Sequence, residues 1–393
     1  MANHSSQISR RSFVKSMAAG TALSAGIASD QVLAEDNERA LTSSQPVEAR
    51  RYPIYRASGS HRELGRQHGE QAKAHILAHL DLLRTKIKLS NEKFKSRAMQ
   101  FQPLLKKYCP HLIDEIKGLG EGVGISYAEA LATNIRGGLD STMDGGCTTY
   151  AISGSGTSDG EIISGQNADI SLAEIDLAYV LHLKPKDKPQ VLIWTFGGMI
   201  GYHGMNSSGI GAFANALGGG PEAKFGLTHY PAKRLILECT NLDEVERLIK
   251  RVPVASNGNY MLNDRKKILN IEWTTDGPQR IADEGNGFLA HTNHFICPEY
   301  GTPENYELSL KDSFPRLDRM NQLIRSRLGK LGVDDLKSFL KDRDNSPHGI
   351  CRSDAKNSSI TTASIISEPA KRQMYVAVGY EQETPFELYK MDA

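Results

Sequence analysis

The sequence predicts an α+β fold with antiparallel β-sheet, and three observations carry that prediction. Helix-forming patterns dominate the chain before Cys147. After Cys147, five short β-prone runs follow one another directly, separated by turns rich in Gly, Asp and Lys-Pro, without the intervening helices of a βαβ unit. Helical patterns then return before a closing β-hairpin. We therefore expect layers of helices around one large sheet system.

Length, charge and cysteine content limit the class of protein. The chain has 393 residues, 39% of them hydrophobic, enough for one large domain or two ordinary ones. Its formal net charge of +1 and sequence pI near 7.7 give no general attraction to nucleic acid or acidic membranes, so we expect no nucleic-acid partner. The five cysteines are odd in number and lack C-x-x-C spacing, which argues against a disulfide framework or a zinc ribbon.

The N-terminal residues are typical of a twin-arginine export signal. Arg10 and Arg11 are followed by an aromatic residue and then by a weakly apolar run of small residues. Cleavage after Ala28 or after Ala34 fits the pattern, so we assign residues 1–34 to the signal. The apolar run is too short and too rich in glycine to remain as a membrane span. We expect an exported, periplasmic protein that has no membrane contact after signal removal.

The first predicted helix starts at a capping box, with Ser60 as N-cap and Glu63 three residues later, and runs to about Thr85. Its apolar stripe at helical spacing consists of Leu64, Ile76, Leu77, Leu80 and Leu83. Its histidines are His61, His68, His75 and His79. Two of these are four residues apart, as in helical metal sites, but no third ligand lies nearby in the sequence. Histidines at the surface or satisfied by packing are the better interpretation.

The remaining elements follow from caps, turns and periodicity. Ser126 with Glu129 caps one helix, and Thr240 or Asn241 caps another. Helices are predicted at 91–107, 110–118, 127–134, 242–250, 308–328 and 333–340. Strands are predicted at 148–153, 161–165, 178–183, 190–196, 209–216, 256–262, 267–274, 287–293, 360–367 and 374–379.

Three stretches compete as the catalytic site. A G-x-S-x-G motif surrounds Ser158, but β-prone residues follow it where a nucleophile elbow needs a helix, so a hairpin loop is the better interpretation. His291 and His294 have the spacing of metal ligands on a helix, yet their surroundings are typical of strand and loop, and no H-E-x-x-H pattern is present. The third stretch centres on Cys147.

Cys147 lies where a flexible loop becomes a strand, because Gly145 and Gly146 precede it and β-branched residues follow it. Cutting the Gly146–Cys147 peptide would leave a chain terminus with both a thiol and an α-amino group, a nucleophile and its base in one residue. The next predicted strand returns toward the thiol and brings Asp169 with it. Later strand ends carry amide and hydroxyl groups at Asn215, Asn293 and Ser358. A small buried cysteine beside a turn is the alternative interpretation.

Five segments in this order resemble the acyl-coenzyme A:6-aminopenicillanic acid acyltransferase family, also called the C45 peptidase family. They are Gly-Cys-Thr-Thr at Cys147, Gly-Gln-Asn-x-Asp ending at Asp169, the run 201–217, His-Thr-Asn-His-Phe at 291–295, and the closing hairpin. The resemblance extends from about Tyr55 to the C-terminus. Members are N-terminal-nucleophile (Ntn) hydrolases, more distantly related to bile salt hydrolases and penicillin V acylases. The resemblance implies a four-layer αββα sandwich with antiparallel sheets.

The resemblance also implies residue roles. Cys147 resembles the nucleophile that autoproteolysis exposes after Gly146. Asp169 matches the aspartate that holds and tunes the amino group of the cysteine, and Asn293 matches the asparagine whose amide donates to the oxyanion. Looser matches are Asn215 for a second oxyanion contact, Ser358 for a serine important in processing or activity, and Arg316 for the active-site arginine. The hairpin before Asp169 is longer than in the family, and Ala168 replaces an aromatic residue, which leaves the substrate open.

We expect a self-processing amidohydrolase that cleaves a linear amide, in a small molecule or small peptide, through an acyl-Cys147 thioester. Residues 35–146 would form a helical α-chain and residues 147–393 a β-chain from one precursor, together one catalytic domain, 35–393. The alternatives are an acyl-coenzyme A-dependent N-acyltransferase of the same family, a serine hydrolase using Ser158, and an exported binding protein with its cysteine uncut. Neither a cofactor nor a metal is expected, and a homo-oligomer is compatible with the sequence.

Overall fold

Two stacked β-sheets lie between two layers of helices. The structure, a computed structural model, describes residues 50–135, 145–281, 285–353, 359–381 and 383–392. The signal assigned to residues 1–34 and the candidate Ser358 lie outside the described residues. The described ranges all belong to one compact unit, Gln45–Ala393.

The helices form two groups along the chain. Those before Cys147 are α1 (His61–Gln71), α2 (Lys73–Ile87), α3 (Asn91–Met99), α4 (Gln102–Tyr108), α5 (Pro110–Val123) and α6 (Tyr127–Asn134). Those after it are α7 (His229–Ile236), α8 (Leu242–Arg251), α9 (Pro303–Glu307), α10 (Ser313–Arg327) and α11 (Val333–Leu340). Within the ranges given above, none of the helices combines the length and the apolar character needed to cross a membrane.

The strands form an eight-stranded sheet and a six-stranded sheet. The larger sheet has the order β1-β4-β5-β6-β7-β8-β9-β10, with β1 (Ile54–Gly59), β4 (Ala178–Pro185), β5 (Val191–Phe196), β6 (His203–Asn206), β7 (Gly211–Ala216), β8 (Gly258–Asn263), β9 (Ile268–Thr274) and β10 (Gly277–Ile281). The smaller sheet has the order β11-β2-β3-β12-β13-β14, with β2 (Cys147–Ile152), β3 (Ile163–Ile170), β11 (Phe288–His291), β12 (Ile360–Glu368), β13 (Gln373–Val378) and β14 (Glu387–Lys390). All pairings are antiparallel except β1 with β4.

Alternating side chains along the strands build three hydrophobic layers. On β4, Leu181 packs under the first group of helices while Val180 faces the space between the sheets. On β2, Ala151 faces the same inter-sheet space while Tyr150 packs against α10 and α11. Because successive strand residues point to opposite faces, each sheet serves two cores. This arrangement confirms the predicted αββα sandwich and corrects the expectation of a single sheet system.

Local signals predicted several helices well. Ser60 and Ser126 each cap a helix through a reciprocal capping box, with Glu63 and Glu129 at the third position. Asn241, one of the two caps considered for α8, accepts from the backbone N–H of Glu244. The bounds predicted for α6 and α11 agree with the structure.

Other predictions were wrong where tertiary packing decides. The first helix is interrupted at Ala72, and Leu77 of its predicted buried stripe is 38% exposed. The helix predicted from 308 begins only at Ser313. Strands β1, β6, β10 and β14 and helices α7 and α9 were not predicted. Strand β1 pairs with β4, which is distant in the chain, and local patterns do not reveal such a pairing. Strands β6, β10 and β14 pair with strands next to them in the sequence, but they have only 4, 5 and 4 residues, too few to show a clear alternation.

Candidate active site

Cys147 is the first residue of β2, and the β2–β3 hairpin sets its surroundings. Cys147 pairs with Ala168, which brings Gly146 beside Asp169. Gly145 has φ +117°, and a Cβ there would lie 1.9 Å from the carbonyl oxygen of Asp169. At Gly146 a Cβ would lie 3.1 Å from Asp169 Oδ2. The two glycines therefore let the backbone enter a crowded, charged site directly before the thiol.

The Gly146–Cys147 peptide is held from both sides. Its carbonyl oxygen accepts a hydrogen bond from the backbone N–H of Asp169 at 2.9 Å. Its N–H donates to Asn293 Oδ1 at 2.9 Å, and the following carbonyl, that of Cys147, accepts from Arg316 Nη1 at 2.6 Å. A donor on a carbonyl oxygen stabilises the negative charge that forms there during nucleophilic attack. The peptide is thus oriented, and its carbonyl is polarised.

Asn293 and Arg316 form one buried hydrogen-bonded unit. Arg316 Nη2 donates at 2.7 Å to the same Asn293 oxygen that accepts from Cys147, and Arg316 Nη1 also donates to Thr148 Oγ1 at 3.0 Å. Asn293 Nδ2 donates to the carbonyl oxygen of Ala216 at 3.0 Å. The side chain predicted to be the oxyanion donor therefore uses its oxygen to hold the nitrogen of Cys147, and one of its two N–H groups is engaged with the other sheet.

Four charged side chains with little or no exposure lie beside the hairpin. Asp169 Oδ1 accepts from Thr361 Oγ1 at 2.6 Å, and Asp169 Oδ2 lies 3.7 Å from Arg352 Nε. Arg352 is hydrogen-bonded to Asp312, which also accepts from Arg316 at 3.2 Å. Burial raises the pKa of Asp169 to about 6, although Arg352, Arg316 and Thr361 each act to lower it. Asp169 is therefore ionised at neutral pH and becomes protonated in mild acid.

The thiol of Cys147 shares a strand face with Thr149 and Ala151, the face directed toward the larger sheet. Asn215, on β7 of that sheet, donates from Nδ2 to Thr149 Oγ1 at 2.9 Å and to Asn259 Oδ1 at 3.1 Å. The Oδ1 of Asn215 is buried and has no hydrogen-bond partner among the described residues. Asn215 is thus linked through Thr149 to the strand that begins at Cys147.

Gln166 and Lys233, which the sequence patterns did not indicate as site residues, lie close enough to change the pKa of the Cys147 thiol. Gln166 hydrogen-bonds the backbone of Ala214 through both amide atoms, at 3.0 and 3.3 Å. Lys233, on α7, is 6% exposed, and its Nζ lies 4.4 Å from the ring centroid of Tyr202. In the part of the chain that the structure describes, no carboxylate is within ion-pair distance of Lys233. Burial lowers the pKa of Lys233 to about 7, while the charge of Cys147 raises it.

The surroundings of Cys147 disfavour the ionised form of its thiol. Burial raises the pKa of Cys147 to about 11, and the charge of Asp169 adds to this effect. Hydrogen bonds from the Asp169 backbone and from Gln166, and the charge of Lys233, act in the opposite direction. Each of the five cysteines of the chain is a free thiol, and Cys147 is half-buried.

The two rival sites have structural explanations. Ser158 is exposed in the β2–β3 loop, and a strand follows it, so the strand–turn–helix geometry of a nucleophile elbow is not formed. His291 Nε2 lies 2.9 Å from Glu272 Oε1, and His294 Nδ1 lies 2.8 Å from Ser313 Oγ. Neither histidine belongs to a group of possible metal ligands within the described ranges.

The structure therefore brings Cys147, Asp169, Asn293 and Arg316 together, and Asn215 joins them through Thr149. Arg352 and Asp312 complete the charged group and were missed, because a lone arginine or aspartate in a loop has no local signature. The neighbour of the candidate Ser358, Ser359, is buried, and its Oγ accepts from Arg352 Nη1 at 3.3 Å.

Comparisons with known proteins identify relatives of the chain. The family model described as "Acyl-coenzyme A:6-aminopenicillanic acid acyl-transferase" matches residues 156–383. A protein of Emericella nidulans, acyl-coenzyme A:6-aminopenicillanic-acid-acyltransferase 40 kDa form, is 28% identical over 349 residues, which cover 85% of this chain and 94% of that protein.

Solved structures give more distant similarities. A mutant of the conjugated bile acid hydrolase from Clostridium perfringens is 13% identical with a TM-score of 0.43, covering 63% of this chain and 97% of its own. The Caenorhabditis elegans ortholog of N-acylethanolamine-hydrolyzing acid amidase is 15% identical with a TM-score of 0.42, covering 57% of this chain and 93% of its own. Because these TM-scores are low, the family assignment rests on the sequence matches alone. Since the family model matches more than half of the chain, the protein belongs to the acyl-coenzyme A:6-aminopenicillanic acid acyl-transferase family.

Proposed function

We propose that the protein is a self-processing N-terminal-cysteine amidohydrolase that cleaves linear amides through an acyl-Cys147 thioester. The observation that carries the proposal is the binding of the Gly146–Cys147 peptide, whose oxygen and nitrogen are held by Asp169 and Asn293 at 2.9 Å each. In the first step Sγ of Cys147 attacks the carbonyl carbon of Gly146. The C–S bond forms as the C–N bond breaks, and the nitrogen takes up the thiol proton.

Water then completes the cut. It attacks the thioester, which leaves a carboxylate on Gly146 and a free thiol and α-amino group on Cys147. An α-amino group has a pKa of about 7.7–8.0, so part of the population is unprotonated at neutral pH and accepts the thiol proton. Asn293 Oδ1, which accepts from the Cys147 nitrogen at 2.9 Å, would keep that amine oriented. One residue then serves as nucleophile and base.

Substrate turnover repeats this chemistry. The thiol of Cys147 attacks the amide carbonyl of the substrate, the leaving amine takes the proton from the α-amino group, and water hydrolyses the acyl-Cys147 thioester to release the acid. Arg316 would support both stages, since it holds the Asn293 oxygen and the Cys147 carbonyl. The proposal needs no cofactor.

The proposal also covers how the chain is exported and cut. Residues 1–34 would direct export through the twin-arginine pathway, residues 35–146 would become the α-chain, and residues 147–393 the β-chain. The twin-arginine pathway carries folded proteins, so the cut would precede export to the periplasm. The arginine pair at positions 10 and 11 and the small apolar run after it support this order.

Acyl transfer to an amine is the second candidate reaction. The name of the Emericella nidulans relative, an acyl-coenzyme A-dependent acyltransferase, favours it. The two reactions share the acyl-Cys147 intermediate and differ only in the acceptor. We favour hydrolysis because water is the more general acceptor outside a biosynthetic setting.

Trapping the intermediate tests the proposal and separates the two reactions. The protein is incubated with a panel of linear N-acyl amides and, separately, with an acyl-coenzyme A plus an amine, then quenched in acid for mass analysis. We expect an acyl adduct on the peptide that contains Cys147, and free acid as the product from the amides. N-acyl product formed only from acyl-coenzyme A would assign acyl transfer instead. Turnover without an adduct and undiminished in Cys147→Ala would exclude both reactions.

A further inference from the structure

Three potential metal ligands from distant parts of the sequence meet outside the active-site group. His61 begins α1, His111 lies in the first turn of α5, and Glu238 follows α7. Each offers one ligand atom, and the three atoms lie within 4.8 Å of one another. The rings of His61 and His111 have centroids 4.7 Å apart. We call these three residues the His-His-Glu cluster.

His61 has the hydrogen bonding of a metal ligand. Its Nδ1 lies 2.7 Å from Glu115 Oε2, and Glu115 also accepts from Arg234 Nη1 at 2.7 Å and Nη2 at 2.9 Å. Glu115 thus forms a two-bond ion pair with the guanidinium of Arg234, in which the carboxylate is ionised. An ionised carboxylate only accepts hydrogen bonds, so the proton of a neutral His61 is on Nδ1.

The other nitrogen of His61 is therefore a lone-pair donor. His61 Nε2 is buried and has no hydrogen-bond partner among the described residues. Burying a polar atom without a partner costs free energy, and coordination of a metal would satisfy it. In metal-bound histidines, the ring nitrogen that does not bind the ion usually donates to a carboxylate or another acceptor. Here Glu115 is the acceptor for Nδ1 of His61, which leaves Nε2 for the ion.

Hydrogen bonds also orient the side chains of the two other ligands, His111 and Glu238. His111 Nε2 lies 2.8 Å from Glu238 Oε2, and Glu238 Oε1 accepts from Arg234 Nε at 3.1 Å. Asp187 Oδ1 lies 3.8 Å from His61 Nε2, and the Asp187 side chain is 67% exposed, which leaves a route from solvent. Arg234 offsets one of the two buried carboxylates. The remaining negative charge, together with that of Asp187, would balance a divalent cation.

The geometry points to a zinc site formed by His61 Nε2, His111 Nε2 and Glu238 Oε2, with Asp187 or water in the fourth position. Two imidazoles and a carboxylate suit zinc and related divalent ions. Ligand atoms around tetrahedral zinc lie roughly 3.3 Å apart, so a modest side-chain rotation closes the cluster. This departs from the expectation that the protein uses no metal.

The site would connect parts of the chain on either side of Cys147. His61 and His111 precede that residue, and Glu238 follows it. A bound ion would then hold the two chains together after the cut, a consequence that rests on the proposed function. The existence of the site does not depend on the cut.

Zinc binding by the tag-free, chelator-treated full-length protein tests the inference. Titration calorimetry with zinc chloride should give one equivalent bound per chain and a higher melting temperature in excess zinc. His61→Gln and His111→Gln should each weaken binding at least about tenfold, as loss of a ligand does. His75→Gln, on neighbouring α2 and outside the cluster, should bind like wild type.

Cobalt substitution identifies the ligands independently of stability. Cobalt bound at the His-His-Glu cluster should show ligand-field absorption without a thiolate-to-cobalt charge-transfer band. The inference is overturned if wild type binds no zinc, if both histidine variants bind as well as wild type, or if the cobalt spectrum shows thiolate ligation.

Discussion

Asn293 is the side chain that joins Cys147, the proposed nucleophile, to the rest of the site. Its oxygen accepts from both the Cys147 N–H and Arg316 Nη2, so Asn293→Ala leaves two buried donors without this acceptor. The variant also removes the second N–H of Asn293 Nδ2, the donor proposed for the oxyanion, so we expect turnover to fall by ~10²–10³-fold. Steady-state kinetics on the best amide of the panel measures it.

Asn167→Ala is the matched control. Asn167 is buried on β3, but its Nδ2 donates to the carbonyl oxygens of Leu340 and Ile350, on the side away from the thiol. This variant should melt at a lower temperature and keep its turnover number. Equal losses of turnover in the two variants would show that Asn293 acts only through stability.

Asp169 gives the site a pH dependence whose sign the structure predicts. Burial raises its pKa from 3.8 in the unfolded chain to about 6, so the folded state binds the proton more tightly. Its contribution to stability is therefore complete below about pH 3.8 and is lost as the pH rises to about 6. The full change is on the order of 3 kcal/mol.

Urea unfolding across this pH range measures the effect. The uncut Cys147→Ala chain is compared with the same chain carrying Asp169→Asn, in which residue 169 does not titrate. The free energy of unfolding of the aspartate chain, relative to the asparagine chain, should decrease as the pH rises. An increase over the same range would mean that the ion pair with Arg352 outweighs burial.

Lys233 is expected to make the thiol more acidic. Its ammonium form lowers the pKa of Cys147, which burial has raised to about 11. Because burial lowers the pKa of Lys233 itself to about 7, this charge is present only below about pH 7. In that range Lys233→Met, which removes the charge at similar length, should slow alkylation of Cys147 by iodoacetamide by roughly tenfold for each unit by which the thiol pKa rises. The rate against pH measures this, and in the same range Lys233→Arg should stay close to wild type. An unchanged profile in Lys233→Met would show that Lys233 does not act on the thiol.

Among the elements, the β2–β3 hairpin was the part of the site best predicted from sequence. The polar run ending at Asp169 had to return toward Cys147 once both strands paired, and the pairing of Cys147 with Ala168 agrees. Contacts set by distant elements were not predictable. Arg352 reaches the site from the loop after α11, and Lys233 reaches it from α7, a helix that the sequence pattern did not predict. Sequence patterns predict which face of an element is buried and where turns lie, whereas the positions of these two side chains depend on how the layers pack together.

A substitution at Gly145 tests whether the β2–β3 hairpin aligns the Gly146–Cys147 peptide. In Gly145→Ala the new Cβ would lie 1.9 Å from a backbone oxygen at φ +117°, so the strand must shift and the Gly146–Cys147 peptide loses its alignment. We expect self-cleavage to slow at least tenfold, about 1.4 kcal/mol in the barrier. The time course of chain cutting after synthesis in a cell-free system measures it.

Gly277→Ala is the matched control for backbone strain. Gly277 has φ +131°, but a Cβ there meets no atom within 4 Å. This variant should lose about 1–3 kcal/mol of stability and be cut at the normal rate. Equal slowing in the two variants would assign the Gly145 effect to strain alone.

At the scale of the whole molecule, the four layers explain why the site lies where it does. The inter-sheet core holds the thiol face of β2 against β7, while α10 brings Arg316 to the opposite face of the same strand. Cys147, the proposed nucleophile, begins an interior strand of the smaller sheet and is thus reached from both neighbouring layers. Residue patterns predicted α+β layers, and the family resemblance supplied the second sheet.

We expect the mature protein to consist of two chains, the second of which begins at Cys147. Intact-mass analysis of the purified wild-type protein beside Cys147→Ala decides this. We predict two polypeptides from wild type, divided between Gly146 and Cys147, and one uncut polypeptide from Cys147→Ala. A wild-type protein that turns over an amide as a single uncut chain would rule out the two-chain form, as would a cut at the same bond in Cys147→Ala.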